Sequence, residues 1–172
     1  MSATVVAALH PDFTLKRDWK YLLLGALLGV FPDFDYLLSW ARFLDRGWHH
    51  DFTHSILFAF LMGFLTAAAI RKVRFREVMR YGLAMLSHPL LDFLYTHSRG
   101  VELFWPFLDT RYTVRLMPPI GYDWRRSSLL LMAGDIFRIC AVEFAICGTL
   151  FAAVLLVRNL ARSRPRQLGA AD

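Results

Sequence analysis

In the run Ser87-His88-Pro89-Leu90-Leu91-Asp92 an imidazole and a carboxylate stand four residues apart, inside an otherwise apolar stretch from Val78 to Tyr95. That spacing is a little over one helical turn, so on a helix His88 and Asp92 project from one face, one above the other. Two such groups can share a metal ion, or they can simply hydrogen-bond and hold the helix against its neighbours. Ionisable groups in a hydrophobic helix are tolerated where they pair, bind an ion or line a polar cavity. A second concentration is Trp48-His49-His50-Asp51-Phe52-Thr53-His54-Ser55, which precedes an uncharged run from Ser55 to Ile70. A helix is expected to begin at Asp51 to Thr53 with Asp51 as N-cap, placing His49 in the approach and His54 in the first turn. Five residues apart, these two cannot share a helix face, but a loop-to-helix junction lets them converge. The positive end of the helix favours the neutral imidazole that a metal requires, and its free N–H groups could also hold a phosphate. The plain alternative is a helix cap with unrelated histidines.

Pro32-Asp33-Phe34-Asp35 is the third block. On an ideal helix Asp33 and Asp35 would diverge, whereas in an extended or turn segment they face the same side. The proline favours a carboxylate-bearing turn, against the alternative of ordinary acids in a solvated loop or cap. Further along, Arg111-Tyr112-Thr113-Val114-Arg115 alternates, so both arginines lie on one side if the segment is extended. They could clamp an anionic head group or form an ordinary solvated edge.

The elements that must carry these groups are apolar helices. Of the 172 residues, 56% are hydrophobic, 15% aromatic and only 20% charged, and mean hydropathy is +0.39, greasier than a typical soluble domain. The formal charge of +6 sits in blocks at the ends of apolar runs rather than among polar, aromatic loops, which argues for membrane topology and against nucleic acid. Trp19 to Phe31 reads as a first helix with small Gly25, Ala26 and Gly29, Tyr36 to Leu44 as an interfacial helix, and Leu129 to Val157 as a last span with Asp135 and Arg138 paired. Pro89 removes a backbone hydrogen bond to Met85 and should kink or restart its helix. Tyr95 to Gly100 and the segment around Pro118, Pro119 and Gly121 read as loops, and Leu103 to Phe107 as an aromatic interface anchor. Met1 to His10 is apolar without a basic start, unlike a cleaved signal. Cys140 and Cys147 lie about 10 Å apart along one helix, too far for a bridge within it.

The expected fold is therefore all-α: an integral membrane bundle of about four transmembrane helices, with short interfacial helices and a loop after the third span. Residues 1–166 form one domain and 167–172 a disordered tail. Placing Lys16-Arg17, Arg71 to Arg76 and Arg158 to Arg166 in the cytoplasm puts both termini inside and gathers the Asp and His blocks toward the outer face.

The order of these blocks resembles the YdjM-like family of bacterial inner-membrane, metal-dependent hydrolases. The similarity runs from Phe31-Pro32-Asp33-Phe34-Asp35 through His49-His50-Asp51-Phe52-Thr53-His54-Ser55 to Leu86-Ser87-His88-Pro89-Leu90-Leu91-Asp92 and Gly100-Val101-Glu102-Leu103-Phe104-Trp105-Pro106. His50 and Asp51 stand where the family usually has Arg and Gly, and Thr96-His97-Ser98-Arg99-Gly100 replaces its Thr-Pro-x-Gly. The resemblance implies a metal-dependent hydrolase distantly similar to zinc-dependent phospholipase C, located in the inner membrane.

Together these readings assign Asp33, His49, His54, His88 and Asp92 to one or two ions of Zn²⁺ or another divalent first-row metal. They assign Asp35 and Asp51 to proton transfer, with Asp35 also suited to orienting ligands, and Arg99, Arg111 and Arg115 to stabilising or binding an anion. The activity expected is attack of metal-activated water on a phosphoester or polar lipid at the membrane surface. Two rivals are an ion-binding or transport protein without catalysis and a scaffold with structural zinc.

Overall fold

The apolar opening segment is itself a helix, α1 (Ser2–Leu9), an element that the sequence shows only as a short apolar stretch. In the computed structural model, residues 1–35, 38, 41, 49–94, 99–114, 116 and 129–163 are described. Helix α2 spans Leu15–Val30 and runs into a 3₁₀ turn at Phe31–Asp33. A second 3₁₀ turn, Phe52–His54, leads into α3 (Ile56–Ala69). Helix α4 covers Phe75–Leu94 and α5 Leu129–Ser163. Helix α4 continues through the buried Pro89 to Leu94.

Local chemistry sets the boundaries. Asp18 in the first turn of α2 accepts the backbone N–H of the cap residue Thr14 at 2.7 Å and is held by Arg17 at 3.0 Å, an acid placed at the positive end of the helix. Asp51 does not cap α3. The cap is Ser55, whose hydroxyl accepts the Phe58 N–H at 3.1 Å, because the chain makes the Phe52–His54 turn before the helix starts. His54 consequently precedes the helix rather than lying in its first turn.

Helices α3 and α4 touch backbone to backbone where Gly63 faces Gly82. A Cβ on Gly63 would lie 2.6 Å from the Gly82 nitrogen and 2.7 Å from the Val78 carbonyl, atoms that cannot rotate aside. Gly63→Ala should therefore destabilise the bundle by about 1–3 kcal/mol, read as a lower melting temperature with little change at exposed Leu61→Ala. Helix α1 packs on α2 in the same manner: a Cβ on Gly25 would meet Val6 Cγ2 at 2.7 Å, and one on Gly29 would collide with Ser2. The core joins Val6, Leu28, Ala59, Tyr81, Ala84, Met85 and Leu86, and Ser2 hydrogen-bonds Ser87 across α1 and α4 at 2.9 Å. Helix α5 meets α1 at its far end, where Arg158 donates to the carbonyls of Ala7 (3.0 Å) and Ala8 (2.9 Å).

The described residues form helices and a single isolated bridge, Val101 with Tyr112, as the all-α class requires. Among them, one segment, Ala141–Ala161 in α5, is long and apolar enough to cross a membrane. Helix α3 has 14 residues, a rise of about 21 Å against about 30 Å of hydrocarbon. Charged first turns shorten the apolar parts of α2 and α4 as well. Length and composition thus mark one crossing of the expected four. The expected interfacial helix at Tyr36 to Leu44, the loops at 95–98 and 117–121, Arg115, the side chains of Asp135 and Cys140, and the tail 167–172 lie outside what is described.

Candidate metal centre

The turn after α2 is helical rather than extended. Phe34 has φ −61° and ψ −20°, so Asp33 and Asp35 diverge instead of facing one side. They close on the same imidazole from its two nitrogens. His54 Nε2 lies 3.7 Å from Asp33 Oδ1, and His54 Nδ1 lies 3.8 Å from Asp35 Oδ2.

Asp35 is fully buried. It accepts from His49 Nδ1 at 2.8 Å and from the Thr53 hydroxyl at 2.8 Å. Burial alone would raise its carboxyl, but these two donors outweigh burial and hold it below the ordinary range. The Thr53 hydroxyl has one proton, and Asp35 takes it. At the 2.9 Å contact between Thr53 Oγ1 and His54 Nδ1 the imidazole must then be the donor. The chain Asp35–Thr53–His54 fixes the His54 proton on Nδ1 and leaves its Nε2 to carry a ligand lone pair, while Asp35 orients His49 through its Nδ1. Thr53 was not assigned a role from sequence; a hydroxyl immediately before a motif histidine is the signal that could have found it.

His54 Nε2 faces the acids of two other elements. Asp92 Oδ2 approaches it at 3.4 Å, while His88 Nε2 lies 3.3 Å from Asp33 Oδ1 and 3.2 Å from Asp92 Oδ2. His54 Nε2, His88 Nε2 and Asp92 Oδ2 are all buried without a hydrogen-bond partner, a costly arrangement in a protein interior. Lone pairs of nitrogen and carboxylate oxygen converging on one point repel unless a proton or a metal ion lies among them. Donor atoms around a tetrahedral zinc with bonds of about 2.0–2.1 Å stand about 3.3 Å apart, close to the four N···O separations here. The donor set fits a divalent ion: Asp33, His54 and His88 offer ligand atoms mutually within 4.8 Å, and Asp92 reaches both imidazoles.

A second group, His49, His50 and His54, also offers atoms within 4.8 Å of one another, with ring centroids of His49 and His50 3.9 Å apart and of His50 and His54 4.8 Å apart. His50 sits in a left-handed backbone conformation, φ +73°. Burial pushes its imidazole down to about 4, and His49 and His54 push the same way, so it is a neutral donor at physiological pH. All five expected ligands, and His50 beside them, thus come together from three separate blocks.

The remaining assignments separate. Arg111 ion-pairs with Asp51, approaches Glu102 at 3.3 Å and donates to the His49 carbonyl at 3.3 Å. It straps the histidine turn to the loop after α4, and Asp51 is engaged in that strap. The same loop is tied down by Glu102 N–H to the His50 carbonyl (3.0 Å) and Ile56 N–H to the Leu103 carbonyl (2.9 Å). Arg99 is exposed. Beside the strap Phe104, Phe107 and Leu108 are exposed, the arrangement expected of an aromatic interface anchor.

Against known proteins, a family model described as YdjM inner membrane protein matches residues 1–164. The chain belongs to that family. It is 34% identical over 100 residues to inner membrane protein YbcI of Escherichia coli (strain K12), a match covering 54% of this chain and 57% of that protein. The chain thus spans little more than half of that relative. No solved structure matches. The YdjM match includes every member of the His and Asp cluster and makes this a bacterial inner-membrane protein.

Proposed function

We propose that this YdjM-family protein is a membrane-bound, zinc-dependent hydrolase acting on a phosphoester or polar lipid at the membrane surface. The observation that carries the reading is the quartet Asp33, His54, His88 and Asp92, in which three donor atoms are buried without hydrogen-bond partners. Its residues would hold one divalent ion, with His49 and His50 beside it able to complete that site or hold a second. With one of the four side chains giving up its position to water, such an ion would supply Lewis acidity and lower the pKa of that water. Asp35 and Thr53 orient His49 and His54, Arg111 fixes the turn that carries them, and exposed Arg99 is available to an anionic group. A cavity of about 330 Å³ opens beside Asp33 and His88, between Ser2, Gly29, Leu91 and Glu143. Its mixed lining suits the glycerol and first methylenes of a lipid.

The membrane reading takes α2, α3, α4 and α5 as four crossings with both termini cytoplasmic. Large apolar side chains point outward on α2 (Leu23, Leu27, Val30), α3 (Leu57, Leu61, Phe64) and α5 (Phe144, Leu156, Leu160), as lipid contact requires. The short α3 is accommodated by local bilayer thinning.

The test is hydrolysis by the full chain in nanodiscs with added zinc, across a panel of phospholipids and phosphate esters. At least one member should be turned over, with His88→Ala lowering the rate at least about 100-fold, beyond the loss expected from an outer-shell change. Equal rates for the two proteins would favour a non-catalytic ion-binding role.

A further inference from the structure

A second cavity, of about 360 Å³, lies at the opposite end of the helices from the metal centre, lined among others by His10, Arg17, Lys72, Arg74, Arg76 and Arg80. Two acids also line it, and each is already matched: Asp18 pairs with Arg17, and Glu77 with Arg80. Lys72 hydrogen-bonds the Tyr21 hydroxyl at 3.1 Å. Arg74 and Arg76 are exposed, with no ion pair among the described residues. The starts of α2 and α4 both lie at this end, so their backbone N–H groups add positive potential. Arg80 gives the independent indication of a ligand. Its side chain is 2% exposed, one Nη donates to the Leu9 carbonyl at 3.3 Å, and its Nε is buried with no partner.

We propose that this cavity binds a phosphate-bearing anion, with Arg80 at its base and Arg74 and Arg76 closing over the outer oxygens. Five cations against two matched acids leave an excess suited to a multiply oxygenated anion rather than a lone carboxylate, and planar guanidinium groups match phosphate geometry. The phosphate can belong to an anionic lipid headgroup or be free in solution. Basic pockets between helices at a bilayer face recognise the former.

The test uses the full chain extracted in detergent, with phosphatidylglycerol, phosphatidylcholine and inorganic phosphate as separate probes and native mass spectrometry as readout. Arg74→Gln with Arg76→Gln is the informative variant, since both side chains are exposed and the core pairing of Arg80 with Glu77 is untouched. Arg71→Gln, outside the cavity, controls for surface charge. Wild type should retain phosphatidylglycerol over phosphatidylcholine, and the double variant should weaken that retention about thirtyfold while Arg71→Gln does not. If the ligand is soluble, inorganic phosphate binds wild type, the double variant weakens it likewise, and the two lipids are retained equally. Equal retention of both lipids without phosphate binding, or the same loss in Arg71→Gln as in the double variant, would overturn the proposal. Zinc content should not change in any of these variants, so the outcome is independent of the metal centre.

Discussion

His54→Ala is expected to cost the protein most of its metal affinity. His54 is the residue shared by both ligand groups, and its Nε2 faces Asp33 and Asp92 while its ring packs 5.4 Å from that of His88. Removing it leaves one imidazole with two carboxylates on one side and a pair of histidines on the other, each set short of the shared imidazole nitrogen. Affinity should fall by more than about 100-fold, exceeding the effect of losing an outer-shell partner. The measurement is chelator competition on the purified full chain, with metal content by mass spectrometry and size-exclusion chromatography to verify that the metal-free variant remains folded. Full zinc retention by His54→Ala would place the ion elsewhere.

Asp35→Asn should give the second large effect, and a different one. The substitution preserves size but exchanges one acceptor oxygen for an amide donor, so the side chain can no longer accept from both His49 Nδ1 and the Thr53 hydroxyl. His54 loses its tautomer lock and His49 its orienting partner, and zinc affinity should fall about 10–100-fold with stoichiometry unchanged. A drop in stoichiometry would make Asp35 a ligand; unchanged affinity would remove its orienting role.

The contrast between these two variants follows the boundary between what the chain displays locally and what only folding creates. The four-residue spacing of His88 and Asp92 is a property of one helix, and their shared face is visible in sequence because the helix supplies it. The meeting of His49, His54 and Asp33 depends on how α2, α3 and α4 pack, yet the apolar runs and basic blocks were enough to place all three at one end. The division of labour between Asp33 as ligand and Asp35 as orienting group is legible in the sequence, but the geometry that produces it is not, since the turn is helical where the proline suggests an extended one. Asp51 looked like a cap because helix starts are read from the first favourable residue, and the intervening turn passed the cap to Ser55. Helix α1 escaped because eight apolar residues carry little periodic signal; it is held by glycines on α2 rather than by its own pattern. Arg111, expected to bind an anion, instead straps the turn to a loop whose path no local rule predicts.

The central claim is that two imidazoles and two carboxylates from three elements hold one divalent ion. X-ray absorption at the zinc edge on the metal-loaded full chain tests it most directly. The expected first shell contains only nitrogen and oxygen at about 2.0–2.1 Å, with the scattering pattern of at least two imidazoles that falls in His54→Ala and in His88→Ala. A sulfur shell at about 2.3 Å, or an imidazole signal unchanged in both variants, would contradict it.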